Sequence, residues 1–250
     1  MLLYLHFEQY FKFAVTGLIS YFCKPMLKKI VIAIDGPAGS GKSTAAKNLA
    51  KKLGITYLDT GAMYRAITFL ALRSGVVNDT KAVIEIAQNV KLRLNFENGK
   101  TRVFADEEEV TEQIRSAEVN SMVSEVSTIP EVRAEMVKIQ KSIGNQGSIV
   151  AEGRDVTTVV FPNAEIKIYL TASIDERARR RFKEFQEKDA NITIEEVKAN
   201  LEKRDKIDSG RDVSPLRKAE DAIEFDNTGL TPEQDLEYLL NKVKAVLEKV

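Results

Sequence analysis

Ile30-Val31-Ile32-Ala33-Ile34-Asp35-Gly36-Pro37-Ala38-Gly39-Ser40-Gly41-Lys42-Ser43-Thr44 is the stretch whose reading decides the architecture. Its first five residues are apolar and mostly β-branched and run up to a glycine, the pattern of a strand buried on both faces of a parallel sheet and able to sit at its centre. Gly36 to Ser43 fits G-x-x-x-x-G-K-[ST], and a helical pattern follows from Ser43 to Leu53. Strand, loop and helix in that order are what phosphate binding requires. Glycines let the loop turn its N–H groups inward, and the helix N-terminus adds a favourable field for an anion. The expected phosphate contacts are Gly36, Pro37, Ala38, Gly39, Ser40, Gly41, Lys42, Ser43 and Thr44. Lys42 reaches the β- and γ-phosphates, and the Ser43 hydroxyl is the candidate ligand for Mg²⁺. A dinucleotide fingerprint starting at Gly39 would need glycine where Thr44 stands.

Outward from the loop the pattern alternates. Ile55 to Leu58 reads as a strand and Ala62 to about Arg73 as a helix. After a break, Ser148 to Ala151, Ile166 to Leu170 and Ala222 to Phe225 read as strands, before a helix from Pro232 to the end. This is α/β architecture: a P-loop core with a central parallel sheet flanked by helices. Between 62 and 130 the pattern differs. Lys91 to Phe96 and Thr101 to Ala105 alternate around Asn98-Gly99 like a hairpin, followed by helices from about Arg115 to Thr128 and from Pro130 to Ile143. That block is expected to be an inserted lobe, and the charged helical stretch 174–211 a short lid.

Bulk composition narrows the field. The 37 Lys+Arg equal the 37 Asp+Glu, so no broad basic field is present for nucleic acid or an anionic membrane. The one cysteine, Cys23, has no partner in the chain, which suits a reducing cytoplasm. The apolar run Phe13 to Phe22 is too short for a membrane span and lacks the flanks of a signal peptide. Residues 1–26 therefore read as an extension upstream of a start near Met26, with a surface-attaching helix as the alternative.

A P-loop alone leaves kinase, GTPase switch and ATP-driven machine open. The nearest match to the guanine-reading N-K-x-D is Asn241-Lys242-Val243-Lys244, with lysine in place of the carboxylate, and Asp226-Asn227-Thr228-Gly229 comes too late to face a γ-phosphate and reads as a turn. Kinases of small acceptors need arginines that converge on the phosphates, because phosphoryl transfer is chiefly positioning and charge neutralisation. Arg177, Arg180 and Arg181 share one helical face, and Arg204, Asp208 and Arg211 another, unless Gly210 ends the helix first. The competing reading is a pair of solvated faces with helix salt bridges such as Arg180 with Glu184.

From about Leu27 onward the chain resembles the bacterial cytidylate kinases. The resemblance rests on the loop, on Leu58-Asp59-Thr60-Gly61-Ala62-Met63-Tyr64-Arg65, on Glu152-Gly153-Arg154-Asp155, on Val159-Val160-Phe161-Pro162-Asn163-Ala164, and on Arg204-Asp205 through Asp208 to Arg211. It implies transfer from ATP, with Mg²⁺, to CMP or dCMP by a cytoplasmic monomer with no nucleic-acid or membrane partner. It further implies that Thr60, Arg65, Arg154 and Arg211 hold the acceptor phosphate side, that Asp208 contacts the ribose, and that Ser124, Arg133 and Asp155 read the base. Lys42, Arg154, Arg181, Arg204 and Arg211 would carry catalysis. Cytosine offers an amine at N4 beside acceptors at N3 and O2, which suits a carboxylate flanked by donors; uracil would leave that carboxylate unpaired. One departure stands out. Members of the family often read D-G-R-D-I-G-T where this chain has Glu152-Gly153-Arg154-Asp155-Val156-Thr157-Thr158, so Thr157 replaces a glycine and the backbone path there is open. Glu152 reads equally as a contributor to the Mg²⁺ shell and as a strand-end carboxylate. A kinase of another small acceptor and an ATP-binding regulator remain the rival readings.

Overall fold

A computed structural model of the chain describes residues 29–97, 99–186 and 192–248. The expectations for residues 1–26, Cys23 and Asn98 lie outside that range. The order is β1 (Val31–Asp35), α1 (Lys42–Leu53), β2 (Thr56–Asp59), α2 (Thr60–Arg73), α3 (Thr80–Asn89), β3 (Leu92–Glu97), β4 (Lys100–Ala105), β5 (Glu108–Glu109), α4 (Ala117–Val126) and α5 (Pro130–Gly144). It continues with β6 (Ile149–Gly153), β7 (Ile166–Thr171), α6 (Ile174–Gln186), α7 (Ile194–Gly210), β8 (Ile223–Asp226) and α8 (Pro232–Leu247). Five strands make one parallel sheet in the order β2-β6-β1-β7-β8. β1 is the central strand. The α/β class with a central parallel sheet is therefore as read from the sequence.

Both faces of β1 are covered, which is why its apolar residues run without a break. Ala33 faces a core shared with α2, α3, α5 and the hairpin strands, where Met63, Ile67, Val83, Val103 and Met136 are buried. Ile32 and Ile34 face the opposite core, built from Leu49 of α1, Ile168 and Leu170 of β7 and Leu239 and Val243 of α8. A third, small cluster joins Ala38 of the phosphate loop to Ala178, Val197 and Leu201 of α6 and α7. α6 and α7 thus stand directly on the loop.

Three local readings differ from the structure. The helix expected from Arg115 is a 3-10 turn at Gln113–Arg115, and α4 begins only after Ser116, whose hydroxyl caps Val119 N–H. Helix α3 has no counterpart in the sequence reading; it buries only Val83 and Ala87, too thin a stripe to stand out, and depends on Asp79 capping Lys81 and Ala82. The hairpin gains a third strand, β5, paired to β4.

Gly36 marks where β1 must stop. A Cβ built there lies 1.9 Å from the Leu170 carbonyl oxygen, so no side chain fits between loop and β7. Gly36→Ala is expected to destabilise the chain by about 3 kcal/mol, read as a lowered urea midpoint at unchanged slope; an unchanged midpoint would mean the loop can move off β7.

Candidate active site

Parallel strands put their carboxyl ends at one edge, and β1, β2 and β6 there feed the phosphate loop, the Asp59-Thr60 helix start and the Glu152-Gly153-Arg154-Asp155 turn. In-register pairing sets Asp35 opposite Gly153 and Asp59 opposite Glu152. A cavity of about 440 Å³ opens between these ends, α4, α5 and the lid.

The loop occupies one end. Ala38, Gly39, Gly41, Lys42, Ser43 and Thr44 line the cavity, while Gly36, Pro37 and Ser40 are buried behind it. Gly41, at φ 89°, caps α1 in a left-handed conformation. Lys42 is buried and donates to the Pro37 carbonyl at 2.9 Å. Burial, followed by repulsion from Arg154, pushes its pKa down to about 7. Ser43 donates to Glu152 Oε1 at 2.7 Å, and Tyr57 OH reaches the same oxygen at 3.1 Å. A serine hydroxyl next to a carboxylate is an all-oxygen donor pair. It suits Mg²⁺, which is commonly held by one or two protein oxygens plus phosphates and water. Among the described residues no cluster of three His, Cys, Asp or Glu side chains exists to hold a metal by itself.

The middle of the cavity is crowded with guanidinium groups. Arg65, Arg154, Arg181, Arg204 and Arg211 all line it, drawn from α2, the β6 turn, α6, α7 and the residue after α7. Burial and mutual repulsion lower the pKa of Arg204 to about 9 and of Arg65 to about 10, with Arg154 and Arg181 among the opposing charges for both. The groups stay charged at neutral pH. Burial pushes the Arg154 guanidinium down, but Asp208, which accepts from its Nε at 2.7 Å, together with the charges of Glu152 and Asp205, leaves it above the usual range. Asp208 also lies 3.9 Å from Arg211, whose Nε donates to the Ser214 carbonyl at 2.7 Å. Arg211 sits just beyond α7 in extended backbone, so it joins Asp208 through the turn and not along a helical face.

At the far end Arg133 and Asp155 form a buried ion pair, and Arg133 also donates to the Ser127 carbonyl at 3.1 Å and stacks over Tyr64. Ser124, itself buried, lines the same cavity. Three guanidinium N–H groups of cavity residues, Arg133 Nε, Arg204 Nε and Arg211 Nη2, are buried with no partner among the described residues. Each carries a desolvation cost that an acceptor oxygen would relieve. Thr60 lines the cavity too, and its hydroxyl donates to the Glu152 carbonyl at 2.8 Å.

The lid arginines divide. Arg177 is not in the cavity: it is buried, bonded to the Ala172 and Ala38 carbonyls and to Asp205, which in turn accepts from Ala38 N–H. It fastens lid to loop. Arg180 pairs with Glu176, not Glu184, and reaches Asn227 and the Ser40 carbonyl; Glu184 pairs with Arg181. Asn227 is a residue the sequence reading passed over. The Asp226 to Gly229 segment is a turn, with Asp226 accepting from Thr228, yet Asn227 is fully buried and donates to the Ser40 carbonyl and to Asp235. Asp35 was passed over as well. It accepts from Val156 N–H, Thr157 N–H and the Thr157 hydroxyl, and burial pushes its pKa up to about 6 against those bonds. Its one sequence signal is a carboxylate closing an otherwise apolar strand.

A P-loop facing clustered arginines across a single cavity defines a P-loop phosphotransferase for a small anionic acceptor. Residues 32–245 match the family described as cytidylate kinase. The cytidylate kinase of Streptococcus suis (strain 05ZYH33) is 48% identical over 225 residues, covering 89% of this chain and 100% of that protein. That of Enterococcus faecalis (strain ATCC 700802 / V583) is 50% identical over 217 residues, 86% of this chain and 96% of its own. The chain belongs to the cytidylate kinase family. A solved structure of an uncharacterized protein from Eubacterium ventriosum shares the fold at 13% identity, with a TM-score of 0.50 over 87% of this chain and 99% of that one.

Lys42 offers a pH test. In the free protein it is largely neutral at pH 8, and phosphate oxygens at the loop favour its charged form. ATP binding at pH 8 is therefore expected to take up a proton, seen as a calorimetric enthalpy that varies with the buffer's ionisation enthalpy and flattens towards pH 6. Lys42→Arg, charged throughout, should show no such uptake.

Proposed function

We propose that the chain transfers the γ-phosphate of ATP to CMP or dCMP, giving ADP and CDP or dCDP. The observation that carries it is the continuity of one cavity from the phosphate loop, past seven guanidinium groups, Arg115 and Arg180 among them, to the buried Arg133–Asp155 pair. An anion transferred between two nucleotides needs positive charge along its whole path and neutral or paired surroundings for the base.

Lys42 and the loop N–H groups hold the β- and γ-phosphates of ATP. Arg65, Arg154 and Arg211 hold the acceptor phosphate, with Thr60 fixing the wall behind it and Asp208 aligning Arg154 and meeting the ribose. Arg181 and Arg204 add charge where the phosphoryl group moves, so that the acceptor oxygen attacks a γ-phosphorus already neutralised on its equatorial oxygens. Asp155 accepts from the cytosine amine, and Arg133 and Ser124 donate to N3 and O2. Arg133 is held by Asp155 and by the Ser127 carbonyl, so the fold fixes the geometry of the groups that meet the base. Ser43, with Glu152 close by, would hold Mg²⁺, which when bound with ATP would supply further charge neutralisation at the phosphates. The protein acts as a monomer in the cytoplasm; among the described residues no helix is long and apolar enough to cross a membrane.

ADP release with ATP and Mg²⁺ is expected with CMP and dCMP and to fall at least about 100-fold with UMP, which presents a carbonyl oxygen to Asp155 where cytosine presents its amine, and with AMP or GMP, whose purines are larger than the pyrimidine the base end is shaped for. Turnover with a different acceptor would keep the kinase and discard the base assignment. No turnover above the acceptor-free control would favour a regulator that only binds ATP. Asp155→Ala is expected to lower kcat/KM for CMP by about 100-fold or more while the ATP dissociation constant stays within about threefold; equal losses in both would remove Asp155 from the base site.

A further inference from the structure

The turn that follows Asp155 is tied to the phosphate loop by a contact that neither the loop nor the arginine cluster uses. Asp35 is fully buried and is the residue immediately before Gly36. Its two carboxylate oxygens take three bonds from the start of the Val156–Val160 turn: Val156 N–H at 2.8 Å, Thr157 N–H at 2.7 Å and the Thr157 hydroxyl at 2.6 Å. Lys42, Asp155 and Tyr169 are the charged or titratable groups whose fields reach it. Thr157 is buried and does not adopt a left-handed backbone, so no glycine is demanded there. What the side chain adds is a third donor to a carboxylate that otherwise has two.

The two sides of this bridge are not equally supported. Asp35 itself is fixed by the sheet, opposite Gly153 on one side and Tyr169 on the other. The turn has no ladder partners, and Arg154 and Asp155 lie directly before it. Val156 and Val160 anchor the turn's apolar side in the core shared with α2 and α5, so the Asp35 bonds set the path of its first residues, and a shift there would move Asp155 relative to Arg133 and Arg154 relative to Asp208 while the loop beyond Gly36 stayed in place.

We infer that Thr157 is a positioning residue for the acceptor nucleotide: its hydroxyl, through Asp35, orients the Arg154-Asp155 segment against the phosphate loop, and its loss weakens acceptor binding without weakening ATP binding. The inference rests on the acceptor reading above. Valine fills nearly the same space without the donor, and serine keeps the donor without the methyl group.

The test uses the full chain and compares Thr157→Val, Thr157→Ala and Thr157→Ser with the unaltered protein for KM of CMP, KM of ATP, kcat and thermal unfolding. Loss of a hydrogen bond to a charged group predicts a KM for CMP raised about tenfold in the valine and alanine variants. Their KM for ATP and kcat should stay within about twofold, and the serine variant should match the unaltered protein. An unchanged KM for CMP overturns the inference. So does a joint rise of both KM values with a fall in kcat, or a serine variant as impaired as the valine one. Should the valine variant fail to fold, the alanine and serine pair decides by the same criteria. If the unaltered chain makes no ADP with CMP, the acceptor reading and this inference fall together; normal CMP turnover with unresponsive Thr157 variants overturns this inference alone.

Discussion

The in-register end of β1 against β6 is the constraint on which the site depends. Parallel pairing sets Asp35 opposite Gly153, so the strand that enters the phosphate loop and the strand that enters the Arg154-Asp155 turn release their chains side by side. Loop and turn then diverge around one cavity. β2 ends on the other side of β6 and contributes Asp59 and Thr60, and the Thr60 hydroxyl closes the wall by bonding the Glu152 carbonyl. Each strand interposed between β1 and β6 would separate these chain ends by about a further 5 Å.

Burying so much positive charge is costly, and the fold offsets it only in part. Asp208 neutralises Arg154 and lies near Arg211, and Asp155 neutralises Arg133. Among the described residues Arg65 and Arg204 make no ion pair, and burial with neighbouring arginines holds both below the usual guanidinium range despite the charges of Asp59 and Asp208. An anion in the cavity offsets that electrostatic and desolvation cost, and this gives binding energy a place to act. Ala38, Arg177 and Asp205 tie lid and loop into one mechanical unit, since the loop backbone is bonded to both lid helices and a loop methyl group is buried between them. Lys203 of α7 also meets Glu125 of α4 at 2.9 Å, so the lid touches the walls on both sides of the cavity.

Arg177 and Asn227 mark the limits of local pattern. Arg177 shares a helical face with Arg180 and Arg181, yet a face about 100° wide includes both the side that packs on the loop and the side that meets the cavity, and only packing separates them. Asn227 belongs to a turn of ordinary composition, and its burial follows from where β8 lies in the sheet. Helix α3 escaped notice because two buried residues make no periodicity. The phosphate loop was legible because its geometry is encoded within eight consecutive residues, strand before and helix after, and the parallel sheet because the apolar runs of β1 and β6 and the shorter apolar segments of β2, β7 and β8 alternate with helices along the chain.

The sequence by itself determined the α/β class, the phosphate loop and the residue types of the arginine cluster, since each rests on local spacing and on backbone chemistry that neighbours in the chain supply. Only the tertiary structure decided which arginines share a cavity, that Arg177 fastens the lid instead of lining the site, and that Thr157 and Asp35 meet. Those outcomes depend on contacts between residues up to about 140 positions apart, brought together by strand order and helix packing.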